Sequence, residues 1–513
     1  MGALRSAHVM SLLLALTAIP LVQGVYLQRP LVRSSPRHAA VRAGAGFKGT
    51  VPAPVAAVTD PWLQSAVEVR LPVPAGLEAL REEATAAVLE ARRPGRKDEA
   101  WRRTDLSSLF GAALGPPSGA LDPAFAAAVL DTAGDATAAV RVVFVDGVFS
   151  AELSDVSAMP AGCYAGPLAG AGAAAPAAAL TGMTAALHEL PEKGADHRTE
   201  LGAYAFGALN QASLTDVACV YVPRDVKVAP PVKLVLLSTS AGAGGALAAS
   251  HPNVLVWMEE RSELRLLQQY AGEGAYFVNA LTRLRLSPNA TLSHAYVQEQ
   301  SADAVHIDSV LAKCESGARY ESQLVQMGGR IARVNLGVDL AGRHAHTALR
   351  GIALASGNQL SALHSAVRHS SPDCSSEQEQ RNAVAGRSRV VFRGAVQVPI
   401  GSDNTTANQL CRSLLLSDLA RLDVSPNLEI LTDDIVCTHG ATVSDLDDEM
   451  IFYLQSRGLA RSQARVLMLE GWARSIMDSV PSAGASRRVT AKAAELAEED
   501  ALRIVRKARM SSI

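Results

Sequence analysis

The chain reads as a mostly β protein, with a β-helix or solenoid core flanked by N-terminal and C-terminal α-helical regions. Three observations predict this. Strand-like runs separated by polar turns continue from Val140 to about residue 435. A small residue, a polar or variable one and then an alternating strand recur at Ser262–Leu264, Ala290–Leu292, Ala318–Tyr320 and Ala345–Thr347, at spacings of 28, 28 and 27 residues. A fixed period in this range marks stacked repeats, and strand-rich units stack as a solenoid rather than a helical array. Helical periodicity is confined mainly to the two ends. A sandwich whose turns happen to space evenly is the alternative.

The expected divisions are a presequence over residues 1–59, a helical region over 60–139, the β core over 140–440, a second helical region over 441–480 and a charged tail over 481–513. The first 59 residues hold no acidic side chain. Val9–Val22 has the length of a signal-peptide apolar segment and is too short to cross a bilayer. Arg29, Arg33, Arg37 and Arg42 follow among Ser, Pro and Ala. A signal peptide leading into an Arg-rich, acid-free stretch resembles the bipartite presequence of proteins sent to the stroma of complex, secondary plastids; ordinary secretion is the alternative.

Leu77, Leu80, Ala84 and Val88 fall on one face of a helix that Pro94–Gly95 ends. Thr104 or Asp105 is positioned to cap a short helix ending near Phe110. The period then changes. Arg141–Phe149 is a β-branched run broken by Asp146–Gly147, a hairpin signal. Val217–Val222, Val232–Leu237 and Val254–Met258 read as further strands. The Ala- and Gly-rich stretches Gly166–Ala179 and Ala241–Ala249 read as loops. After the core, Asp445–Glu449 places acids in the first turn of a helix that continues through Phe452 and Leu454. If the Phe452 ring is buried, truncating it costs about 3–5 kcal/mol. Arg461–Asp478 reads as a second amphipathic helix.

The chain has 513 residues and a formal net charge of −2, which excludes a nucleic-acid binder working by bulk charge. Six scattered cysteines form no disulfide framework, and the absence of any C-x-x-C pattern leaves no zinc ribbon or ferredoxin-type site. There is no phosphate loop, no G-x-S-x-G elbow and no H-E-x-x-H pattern. Neither catalysis nor a tightly bound cofactor is expected. Glu263, Asp308 and Asp339 occupy unrelated phases of the period, which argues against a secreted β-helix enzyme acting on polysaccharides.

His344 and His346 share a side if both lie on a strand, as metal ligands would, but with no third ligand suitably spaced the preferred reading is solvent-facing repeat positions. His364 and His369 are placed to hold the Pro372–Ser376 loop by hydrogen bonds. Cys437 and His439 differ. They close the last strand before the C-terminal helices and share one face, their Cα atoms roughly 7 Å apart. A neutral imidazole is a good iron ligand and a thiolate a better one. A buried free cysteine beside a hydrogen-bonded histidine is the alternative.

Pro426–Val436 (PNLEILTDDIV), Cys437–Thr442 (CTHGAT) and Phe452–Leu459 (FYLQSRGL) together resemble the closing signature of the SufB/SufD family of iron–sulfur cluster assembly scaffolds. Tyr276–Ala280, Met327–Gly329, Val390–Gly394, Leu414–Ala420 and Trp101–Leu106 resemble further blocks of it, in order. The C-T-H-G-A-T segment is similar to the SufD branch rather than to SufB, and Gln409–Arg412 (QLCR) departs from the family's usual run. The resemblance implies a non-catalytic subunit of a SufB–SufC–SufD complex. Its solenoid would pair with a SufB-like paralogue and its C-terminal helices would dock a SufC-like ATPase. It also implies His439, with Cys437 a weaker candidate, as a ligand for iron of a transient cluster shared with SufB. A SufB-type scaffold is the alternative within the family.

Overall fold

The computed structural model describes residues 60–510, except 70, 75, 119, 131–139, 194–200, 241, 243–244 and 478–482. The expected presequence lies outside the described residues, as do the side chains of the C-terminal tail from residue 499 onward.

Two parallel sheets make the core. One runs, from strand to neighbouring strand, through Ala218–Val222, Asn253–Met258, Tyr276–Leu286, Val305–Cys314, Ile331–Leu340, Leu360–His369, Arg389–Val398 and Arg421–Ile430. The other runs through Val140–Val145, Val232–Ser238, Glu263–Gly272, Thr291–Gln298, Arg319–Gln326, His346–Ala355, Ser375–Val384, Thr405–Leu415 and Ile435–Ser444. Consecutive strands in the chain alternate between the sheets, so each coil adds one strand to each. The period seen in the sequence is the register itself: Glu263, Thr291, Arg319 and His346 stand side by side in adjacent strands.

One corner of each coil uses a residue in the left-handed region. Arg261, Asn289, His344, Asp373 and Asn404 all have φ between 55° and 60°, and Gly317 has φ 69°. His344 is therefore a corner residue rather than a strand residue, and it does not share a strand face with His346. His346 instead lies 2.8 Å from Ser375 Oγ through Nδ1.

Strand alternation points every second side chain into the lumen between the sheets. Most lumen residues are apolar, including Val220, Val256, Leu284, Leu292, Leu324, Val334 and Phe392. A polar cluster interrupts them. Tyr270 Oη donates to Asp308 Oδ2 at 2.8 Å, and Tyr296 Oη lies 2.9 Å from the same oxygen and 2.7 Å from His306 Nε2. Burial pushes Asp308 up to about 6 and His306 down to about 3.

Helices cover the outer faces. Near the N-terminus α1 (Pro61–Glu68), α2 (Glu78–Glu90), α3 (Ser107–Phe110) and α4 (Pro123–Leu130) precede the first long strand, while α5 (Ala177–Leu187) and α6 (Tyr204–Ala212) lie between early strands. The Ala-rich stretch expected as a loop thus forms a short 3-10 turn, Leu168–Ala173, and then α5. Alanine is the strongest helix former, and here Ala179, Met183 and Ala186 are buried against the sheet side. Leu247–Ser250, also expected as loop, is a strand. Asp105 accepts from Ser107 N at 3.0 Å, so it serves the start of α3, whereas the Thr104 hydroxyl accepts from Arg333 at 3.2 Å. Arg333 is fully buried on the outer face of the first sheet, its guanidinium 3.6 Å from the Trp101 ring centroid. It also donates to the Ala100 and Leu201 carbonyls at 2.6 and 2.8 Å. These bonds clamp the N-terminal cover onto the solenoid.

The Asp146–Gly147 turn joins Val140–Val145 to Val148–Phe149 as an antiparallel hairpin, with φ of 52° and 85° at the two turn residues. Both positive angles are what a two-residue hairpin turn requires. At the C-terminus α7 (Asp448–Ser456), α8 (Arg461–Met477) and α9 (Ala483–Met510) pack on the second sheet, joining Val325, Ile352 and Leu354 in one apolar cluster with Ile451, Leu454, Leu469 and Leu496. Asp447 caps α7, its carboxylate accepting from Glu449 N and Met450 N. Phe452 faces outward and is 73% exposed, so the burial considered above does not occur.

Candidate functional site

The last coil, formed by Arg421–Ile430 and Ile435–Ser444, leaves the outermost strand of each sheet unpaired along one edge. These two strands are also the least buried of the core, and Leu431, Val436 and Val443 are more than half exposed. Pro426, with no N–H to give, sits within one of them, a placement compatible with an edge strand.

Cys437 and His439 lie on the other. The register pairs Cys437 with Ala407, His439 with Gln409 and Ala441 with Cys411. Ala407, Gln409 and Cys411 are all buried in the lumen, so Cys437 and His439 occupy the lumen-facing side of the final strand. The shared face read from the sequence is therefore present. Their surroundings differ. Cys437 is half-buried against Val396, Val398 and Ala407, and burial pushes its thiol up, away from the thiolate that binds metal. His439 is exposed at the open end. Cys411, one coil deeper, is buried, with its thiol pushed up to about 11.

A polar column leads to His439. Gln378 Nε2 donates to Ser365 Oγ at 2.6 Å, and Gln409 Nε2 donates to Gln378 Oε1 at 2.8 Å. His439 is the next position on that side. A shallow groove of about 410 Å³ runs along the same strands, lined by Arg350, Glu377, Glu379, Asn408, Thr438 and His439 among others. A larger groove of about 1000 Å³ lies on the other sheet, with Lys313, Asp339, Arg368 and Glu429 among its mixed charges, and contains neither Cys437 nor His439.

The other histidines are placed differently. His369 Nε2 lies 2.9 Å from Ser376 Oγ and holds the Pro372–Ser376 loop as expected. His364 does not. Five positions earlier on one strand it faces the opposite side, buried under the N-terminal cover with neither ring nitrogen partnered. Burial and then Arg333 hold its basicity well below the usual range. Glu263, Asp308 and Asp339 lie at a strand start, in the lumen and on the outer face, so they form no shared carboxylate site. Among the described residues no group of three or more His, Cys, Asp or Glu is placed to hold a metal ion.

Sequence reasoning did not single out Gln378, and it met Gln409 only as a departure from a pattern. The available signal was their phase: Gln378, Gln409 and His439 recur one coil apart on the lumen side.

Fold and edge together define a capped parallel β-solenoid whose final coil is left open. The chain belongs to the SufB/SufD family of iron–sulfur cluster assembly proteins: residues 238–472 match the model for the SUF system FeS cluster assembly SufBD core domain, and residues 62–234 match the SufBD N-terminal region. Among its relatives is the chloroplastic protein ABCI7 of Arabidopsis thaliana, 29% identical over 88% of this chain and 91% of that protein. The iron–sulfur cluster assembly protein SufD of Escherichia coli is 26% identical over 78% of this chain and 88% of its own. A SufBD family protein of Mycobacterium bovis is 31% identical over 57% and 72%.

Proposed function

We propose that this chain is the SufD-type scaffold subunit of a plastid SUF complex. Its open final coil pairs with a SufB-like paralogue, and its C-terminal helices dock a SufC-like ATPase that supplies the ATP chemistry. The chain itself is non-catalytic, and the nascent iron–sulfur cluster is its cargo. The observation that carries the reading is the exposed edge of the last coil with His439 on its lumen-facing side. A cluster takes four protein ligands, so one imidazole from this chain fits a site completed by a partner across that edge. Cys437 is the weaker candidate, because its half-buried thiol resists deprotonation. The acid-free first 59 residues and the chloroplastic relative support a plastid address, and the apolar run ahead of the arginines supports a secondary plastid.

The test is co-purification of the mature chain with SufB-like and SufC-like proteins, followed by cluster formation on the assembled complex. His439→Ala should leave the complex intact while cluster yield falls at least about tenfold, the scale on which ligand-sphere changes act. If the folded chain binds neither partner, the scaffold reading is wrong. If His439→Ala forms clusters at the wild-type yield, the ligand reading is wrong.

A further inference from the structure

We propose that Gln409 is a positioning residue for His439: its side-chain carbonyl accepts the imidazole N–H and leaves the other ring nitrogen, with its lone pair, facing the open edge. This rests on the reading of His439 as a ligand.

Four observations carry it. Gln409 and His439 are direct partners in adjacent parallel strands, which run about 4.8 Å apart, and they occupy the same side of the sheet. Gln409 is 3% exposed and its amide orientation is already set, because Nε2 donates to Gln378 Oε1 at 2.8 Å and Gln378 in turn donates to Ser365. That leaves Gln409 Oε1 buried with no partner. An unpaired buried acceptor is costly, so a donor arriving from the next coil is favoured. Finally, the amide reaches across the lumen to Gly394 on the opposite sheet, where a Cβ would stand 2.2 Å from Gln409 Nε2. The bare backbone at Gly394 is what gives this amide its place.

The chemistry follows from the two nitrogens of a neutral imidazole. One carries hydrogen and the other a lone pair, and whichever is hydrogen-bonded to an acceptor fixes which nitrogen remains free to bind metal. Gln409 thus sets the tautomer of His439 before any cluster arrives, and the Ser365–Gln378–Gln409 column holds Gln409 itself.

The experiment reads the tautomer directly. The full chain is labelled with ¹⁵N at histidine only, and long-range ¹H–¹⁵N spectra are recorded without metal at about pH 8, above the ordinary histidine range. The His439 signals are those lost in His439→Gln. The wild-type chain should show one dominant tautomer. Gln409→Met, which keeps the side-chain length and removes both polar atoms, should shift the tautomer ratio about fivefold or more, the worth of one net hydrogen bond. Gly394→Ala should do the same by displacing the amide without altering Gln409. A wild-type His439 with the tautomer mixture of free imidazole overturns the proposal whatever the variants do. So does an unchanged ratio in folded Gln409→Met and Gly394→Ala. No metal enters this measurement, so it fails or holds separately from cluster formation on the assembled complex.

Discussion

Tyr270 donates its hydroxyl hydrogen to Asp308 Oδ2 at 2.8 Å, with both side chains fully buried in the lumen between the two sheets. Two tyrosines serve this one carboxyl group, yet its second oxygen, Oδ1, has no partner. Desolvation outweighs the hydrogen bonds, and the carboxyl is pushed up to about 6.

A pH dependence follows, and its sign is set by the direction of that shift. An acid raised in the folded state keeps its proton where the unfolded chain, with an ordinary value near 3.9, has lost it. Its contribution to stability is therefore fully present below about pH 4 and is lost as pH rises through about 6. Asp308→Asn removes this term. The stability of the variant relative to wild type should fall by roughly 1–2 kcal/mol between about pH 7 and pH 5. Urea unfolding of both chains at each pH measures it. The buried histidines His251, His294 and His306, each pushed down to about 3, act in the opposite direction, losing stability as pH falls below 6.5. They are common to both chains and largely cancel in the difference. A difference that does not change with pH would show that Asp308 does not titrate in this range.

Helix α7 divides its side chains sharply. Ile451 and Leu454 are essentially inaccessible within the C-terminal cluster, while Phe452 is 73% and Tyr453 43% exposed. Phe452→Ala should therefore change folding stability by no more than about 0.5 kcal/mol, the usual range for surface sites. An exposed aromatic pair on a docking helix is the kind of anchor that dominates binding energy. On the proposed docking of a SufC-like ATPase by these helices, affinity for it should drop about tenfold or more, read by titration calorimetry beside a thermal melt. A lower melting temperature with unchanged affinity would place the ring's role within the fold instead.

The solenoid was legible in the sequence because its coils are nearly equal in length where the signal was read. Ser262, Ala290, Ala318 and Ala345 mark the same point on four successive coils, and the strand register reproduces those steps. The hairpin at Asp146–Gly147 was legible because its turn chemistry is local. His344 was misplaced because a two-residue spacing says nothing about a left-handed corner between the two positions. The Gln378–Gln409–His439 column was hidden because later coils are longer, so the alignment drifts from the period found upstream. Arg333 and Trp101 meet across 232 positions of the chain, and no local pattern announces such a pair.

The final strand supplies the sharpest test of the seam. Ile435–Ser444 is paired on one side by Thr405–Leu415, and the sheet ends at it. Val436 and Val443 are 63% and 54% exposed there. Exposed apolar residues on an unpaired edge invite another strand, and lysines on such an edge are a common means of preventing that addition. A Val436→Lys, Val443→Lys double variant keeps every backbone bond to the preceding strand and buries no new charge. Its folding stability should stay within about 1 kcal/mol of wild type, at up to about 0.5 kcal/mol for each surface site. Association with the SufB-like partner should weaken about tenfold or more, because two charges would have to be desolvated at the seam. Sedimentation of the mixed subunits over a concentration series measures this. If the double variant binds its partner as tightly as wild type, the partner meets this chain somewhere other than its open coil, and the proposed place of His439 at a shared surface is wrong.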